Sequence, residues 1–207
     1  MLLFVLIGCY ERVVMDARVD AHRGEVRLVV QEQGADNQID SGACEGADGC
    51  LAAIRAHLAT ERTELEGQGA RELVNGVFLR DGELDLVAAY TVSLDAKLLA
   101  GGGPLRMVTS VDGRGRSRSV VGVLQTPDTD DGRSTVTATG RYTRYDTGEA
   151  GVLWVFPRGK STVHLEQQLR SDGQDAVVEP WVAGVPGLEA AIRTSGLLLD
   201  PATLIPR

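Results

Sequence analysis

Apolar and polar residues alternate strictly near the start of the chain. Met15, Ala17, Val19 and Ala21 take turns with Asp16, Arg18 and Asp20, and a period of two puts the apolar set on one face of a strand. The turn signal His22-Arg23-Gly24-Glu25 follows, and Val26, Leu28 and Val30 resume the alternation. Residues 12–33 therefore predict a β-hairpin. After a polar stretch over 34–50 the spacing changes, with Leu51, Ile54, Leu58 and Leu65 forming a stripe at helical period and Arg55, Glu61, Arg62 and Glu64 lying off it. This predicts a helix over 50–66, with Asp48 as its cap and Gly67 as its stop.

Beyond Gly69 the strand pattern returns. Runs at 73–79 and 84–94 flank Asp81-Gly82, a hairpin dipeptide. Further runs at 105–111, 119–125, 135–145, 152–156 and 162–169 are separated by turns containing Gly or Asp. Connections this short favour antiparallel pairing. A second helix is expected from 186 or 187 to 194, with Gly196 as its stop, and residues 197–205 are apolar enough to pack as an edge or tail. The expectation is an α+β fold: a mostly antiparallel, curled sheet of about nine strands with one or two packed helices.

Composition narrows the class of partner. The 207 residues are 43% hydrophobic and 24% charged, and a net charge of −8 offers no basic footprint for nucleic acid. Aromatics are only 4%, which leaves Val, Leu and Ala to fill the core. No apolar run reaches the ~20 residues of a spanning helix, so any membrane link is expected to be an anchor.

Residues 2–8 form an uninterrupted apolar run that stops at Cys9 and is followed by Tyr10-Glu11-Arg12. Leu6-Ile7-Gly8-Cys9 resembles the lipobox of bacterial lipoproteins. That resemblance implies a signal segment over 1–8, lipid attachment at Cys9, and a single envelope domain over 9–207 anchored to a membrane and facing the periplasm or the surface. A start codon upstream of Met1 would supply the basic residues that precede such a run. The other reading makes 2–7 a buried strand and Cys9 a half-buried thiol. Cysteine usage favours the lipobox, because Cys44 and Cys50 share a glycine-rich loop that an oxidising compartment would close into a disulfide. One cysteine is then left for lipid. A zinc site lacks its third and fourth ligands nearby, so no metal is assigned.

No catalytic or cofactor constellation is legible. His22, His57 and His164 fall in a turn, beside a helical stripe and on a polar strand face, with nothing in their spacing to bring them together. Gly101-Gly102-Gly103-Pro104 lacks the Lys and Ser/Thr of a phosphate-binding loop. Asp128-Thr129-Asp130-Asp131-Gly132 lacks the distal Glu of a calcium loop and is read as a hairpin turn. Asp36, Asp40, Glu45 and Asp48 around the disulfide loop pose the same calcium question without a fixed motif. Arg114, Arg116 and Arg118 concentrate positive charge on an acidic chain, either as a docking point for an anionic headgroup, glycan or protein, or as a solvated hairpin tip.

Two functions follow. The first is a noncatalytic, lipid-anchored envelope lipoprotein acting as an interaction or assembly module toward an unknown envelope protein. The second is a carrier or receptor for a lipid or other apolar ligand, on an outline similar in size and strand content to the half-barrel lipoprotein carriers of the bacterial envelope. They differ in what lies between sheet and helix. Leu51, Ile54, Leu58 and Leu65 should interlock with Leu86, Ala88 and Tyr90 in a core, whereas a carrier would hold an apolar void of several hundred Å³ there.

Overall fold

The structure is a computed structural model that describes residues 12–35, 39, 44–101, 103–129, 132–169 and 181–204. The predicted hairpin forms as β1 (Arg12–Asp20) and β2 (Glu25–Gln33), joined by a four-residue turn with Gly24 at φ 65°. The predicted helix forms as α1 (Gly46–Gly67), entering four residues early. Glu45 rather than Asp48 occupies its N-cap, without a side-chain hydrogen bond. Asp48 sits in the first turn, where its charge complements the helix dipole.

Then come β3 (Arg71–Arg80), β4 (Glu83–Ser93), α2 (Lys97–Ala100), β5 (Leu105–Val111), β6 (Ser117–Gln125), β7 (Gly132–Thr139), β8 (Thr143–Asp146), β9 (Val152–Phe156) and β10 (Lys160–Leu169). The chain closes with α3 (Trp181–Gly184), α4 (Leu188–Thr194) and α5 (Pro201–Leu204). The fold is α+β and antiparallel throughout its named strands, as the short connections implied. Among the described residues the ten strands divide between two open sheets, however, instead of forming one. One has the order β3-β4-β2-β1-β10-β7 and the other β5-β6-β9-β8.

The expected strand over 135–145 splits between the two sheets. Gly140 stands at the break with φ 90°, and a Cβ there would come within 2.6 Å of the Lys160 carbonyl oxygen. Only glycine permits that turn and that approach together.

Register explains how the core is shared. In β1, Val13, Met15, Ala17 and Val19 are all buried, and Met15 pairs with Val30 on one side and Leu165 on the other. The same face runs through Leu28 opposite Tyr90 and Val30 opposite Ala88. The four-stranded sheet lays Val121, Val123, Trp154 and Phe156 against it. Farther along β4, Leu84 and Leu86 meet Ile54 and Leu58 of α1, with Leu188 and Ile192 of α4 behind them. Leu84, Leu86, Ala88 and Tyr90 are alternate residues of one strand, so α1 and the smaller sheet cover the same face of the larger one. Burial of each such Leu or Ile is worth about 1.5–3 kcal/mol.

The interlocking expected of a core is present. Ile54 and Leu58 share a cluster with Leu86, and Leu65 packs on the one holding Ala88 and Tyr90. Residues 197–199 run beside β3, where Leu198 bridges Val77 in parallel.

Candidate interaction surfaces

The opposite face of the six-stranded sheet carries the other half of each alternation. Cross-strand register aligns Thr139, Thr162, Arg18, Arg27, Thr91 and Arg71 in a row across all six strands. The adjacent row holds Thr137, His164 and Asp16. His164 Nδ1 lies 2.9 Å from Asp16 Oδ1, so one histidine does meet a carboxylate, across 148 residues of sequence. Thr139 and Thr162 share a hydroxyl hydrogen bond of 2.6 Å beside it. Among the described residues no hydroxyl hydrogen-bonds to His164 Nε2.

The remaining histidines stay separate. His22 is in the first hairpin turn, and His57 lies on α1, where burial lowers its pKa against the pull of Glu64.

The three predicted arginines gather at the tip of the β5–β6 hairpin. Asp112 organises that tip, its Oδ1 accepting from the backbone N–H groups of Arg114 (2.8 Å) and Arg116 (3.0 Å). These bonds hold the Asp112 carboxyl below its ordinary pKa. Its Oδ2 pairs with the Arg116 guanidinium at 2.9 Å, which offsets part of one of the three positive charges while leaving that side chain exposed. Arg114 and Arg118 form no salt bridge among the described residues. Arg158, exposed in the β9–β10 turn, brings another positive charge close to Asp112.

Cys44 and Cys50 form a disulfide with a Cα–Cα distance of 4.4 Å. Cys50 is fully buried in the cluster with Ile54, so the bridge ties the start of α1 to the chain before it. Cys9, Asp36, Asp40, Asp130 and Asp131 lie outside the described residues. Glu45 and Asp48 stand at the start of α1, and Asp128 precedes a bridge between Thr129 and Gly132. Among the described residues no group of three or more His, Cys, Asp or Glu is placed to hold a metal ion. Gly103 belongs to the connection before β5, where its carbonyl accepts from Arg106.

One surface was not anticipated. Tyr142 packs on Trp154 with ring centroids 5.1 Å apart and on Phe156 at 6.3 Å. The Arg144 guanidinium lies 4.5 Å from the Trp154 ring centroid, and Trp154 Nε1 donates to Gln125 Oε1. Tyr145 stands 50% exposed on β8, an edge strand whose residues are all exposed. The signal available in sequence was the crowding of Tyr142, Tyr145, Trp154 and Phe156 in a chain with so few aromatics.

No known protein family matches this chain, and no curated protein is found to be similar to it.

Proposed function

We propose that the protein is a noncatalytic envelope lipoprotein, held to a membrane by lipid on Cys9, whose folded domain works as an interaction module. The observation that carries the second half is β8. Among the described residues it pairs only with β9, and it carries Arg144 and half-exposed Tyr142 over Trp154 on one face and Tyr145 on the other. Tyr, Trp and Arg dominate the energetic centres of protein interfaces. An edge strand with unpaired backbone groups can also accept a strand from a partner. The packing of Ile54 and Leu58 against Leu86 supports a module over a carrier, because side chains occupy the space that an apolar ligand would need. The first half rests on the Leu6-Ile7-Gly8-Cys9 sequence.

Both halves can be tested in one bacterial host. The full gene with its upstream codons is expressed carrying a photo-crosslinking amino acid at position 145, or at exposed position 59 of α1 as control. Fatty-acid labelling and fractionation accompany the crosslinking. A labelled, membrane-bound protein that loses its label on Cys9→Ala supports the anchor. A discrete adduct from 145, absent from 59 and abolished by Arg144→Ala, supports the module. An unlabelled cytosolic protein, or identical adducts from both positions, counts against the corresponding half.

A further inference from the structure

The β5–β6 hairpin outgrows the sheet that carries it. β6 pairs with β5 from Ser117 to Val123 but with β9 only from Val121 to Gln125. Among the described residues the rungs Thr109–Ser119, Ser110–Arg118 and Val111–Ser117 therefore stand as a two-stranded ribbon, and every residue from 113 to 119 is exposed. Such a ribbon is marginal in water by itself. Here its tip is closed by the Asp112 N–H donating to the Arg116 carbonyl oxygen and the Gly115 N–H donating to that of Asp112, besides the bonds of the Asp112 carboxylate.

Two other segments meet the ribbon at this end of the domain. Arg158 of the β9–β10 turn comes close to Asp112. The Ser161 hydroxyl donates to the Arg141 carbonyl oxygen at 3.4 Å, which sets the β7–β8 connection beside the same turn. Residues 107–119, 140–142 and 157–159 together hold five arginines, Arg114, Arg116, Arg118, Arg141 and Arg158, against one carboxylate, Asp112, on a chain whose net charge is −8. Asp112 forms its salt bridge with Arg116, and the other four form none among the described residues. Asp20, the neighbouring acid across the Ala21–Gly159 backbone bond, already faces Lys160 and Arg23. Charges act over only about 8 Å at physiological salt, so the acidic remainder of the chain does not cancel this local excess.

The ribbon also carries apolar side chains that pack on nothing. Met107 and Val111 are alternate residues of β5 and share a face, 42% and 62% exposed. Scattered singly, such residues need no partner. Beside unpaired arginines at a protruding tip they match a membrane interface, where phosphate overlies hydrocarbon.

We infer that this ribbon and the two segments beside it dock on an anionic lipid surface, with Arg114, Arg118, Arg141 and Arg158 on the phosphates and Val111 and Met107 entering between the headgroups. A guanidinium forks onto phosphate oxygens, and a basic cluster is drawn to anionic headgroups. Apolar side chains buried at the headgroup boundary add to that attraction. Cations drawn from three separate segments suit a plane of like headgroups, which requires no matched positions. The surface lies at the opposite edge of the four-stranded sheet from β8 and does not depend on lipid at Cys9.

The test uses the full chain with Cys9→Ala, which excludes any acyl anchor, and measures co-sedimentation with phosphatidylcholine vesicles with and without phosphatidylglycerol. Binding should require phosphatidylglycerol and weaken as salt rises. Arg114→Ser combined with Arg118→Ser should weaken it by roughly tenfold or more, since each basic residue near such a surface is worth about a factor of five. Arg55→Ser combined with Arg133→Ser removes the same charge from exposed positions elsewhere and should bind as the parent does. With Cys44 and Cys50 bridged, Val111→Cys is then the one free thiol for an environment-sensitive dye. Its emission should shift to the blue on phosphatidylglycerol vesicles, and dye on Ala59→Cys of α1 should not. Circular dichroism verifies that each variant is folded. No sedimentation, equal loss in the two arginine pairs, or a dye at 111 that stays in water overturns the inference. Binding to soluble polyglutamate without binding to vesicles also overturns it and assigns an acidic protein partner.

Discussion

Asn75 Nδ2 lies 2.9 Å from Glu61 Oε2 and 2.7 Å from the Leu58 carbonyl oxygen, so one β3 side chain fastens the second half of α1 to the sheet. Glu61 needs that contact. Burial pushes its pKa from 4.5 to about 7, Glu32 on β2 and Glu64 on α1 reinforce the shift, and Asn75 and Arg62 oppose it. The same two acids, Glu61 and Glu32, with burial the larger cause, raise the pKa of the buried Tyr90.

The folded state therefore holds the Glu61 proton more tightly than the unfolded chain does. Stability from this group is greatest below pH 4.5, declines as pH rises toward 7, and stays reduced above it. Glu61→Gln keeps an acceptor for Asn75 and removes the penalty. It should stabilise the protein by about 1–3 kcal/mol at pH 8 and leave it almost unchanged at pH 4. Urea unfolding at both pH values checks this, and an equal effect at each would contradict it.

Asp85 is fully buried, yet it is a charged residue on the face away from the core clusters. It accepts from Gln31 Nε2 at 2.8 Å, from the Gly34 backbone N–H at 3.1 Å and from Arg80 Nε at 3.3 Å, joining β2, β3 and β4. Asp85→Ala should cost about 2–4 kcal/mol, since it strands several buried donors while Glu83 still compensates Arg80. Asp85→Asn retains one acceptor oxygen and should cost less. The difference in urea midpoints between the two variants is the measurement.

The disulfide closes a sequence separation of six. Its contribution should fall below the ~3 kcal/mol of a fifteen-residue loop, so dithiothreitol should lower the melting temperature without unfolding the domain at room temperature. Cys50→Ser places a hydroxyl in a fully buried site and should be worse than Cys44→Ser. Mass spectrometry of the non-reduced protein should find neither thiol alkylatable.

A methyl group on Gly76 would lie 2.3 Å from the Leu197 carbonyl oxygen. That carbonyl accepts from the Val77 N–H, and the Leu199 N–H donates back to Val77. Gly76→Ala should push the 197–199 segment off the sheet edge at a cost of about 1–3 kcal/mol. Hydrogen exchange should speed up at Val77 and Leu199 while Met15, in the centre of the sheet, keeps its protection.

How much of this was legible beforehand depended on the distance over which each feature is specified. The β1–β2 hairpin and α1 rest on local periodicity and emerge nearly as read. The pairing of Arg18 with Arg27 was also within reach, because a four-residue turn over 21–24 sets those two residues opposite each other. Arg71 and Lys160 were not, since β3 and β10 join the same face only through tertiary pairing. The division into two sheets was hidden for the same reason. Alternation over 135–145 shows which side chains share a face but not where the strand changes partners, and Gly140 alone marks that point.

The neighbours of β1 come from distant parts of the chain. Val19 meets Val26 a few residues later, but on its other side it meets Ser161. During synthesis the first hairpin must therefore wait, one flank unpaired, until nearly the whole chain has been made. Closure over so long a loop is slow. An interrupted chain ending before residue 160 would carry an open strand flank with an apolar face, a ready template for pairing between molecules. The arrival of β10 thus also closes that flank of β1 to pairing between copies.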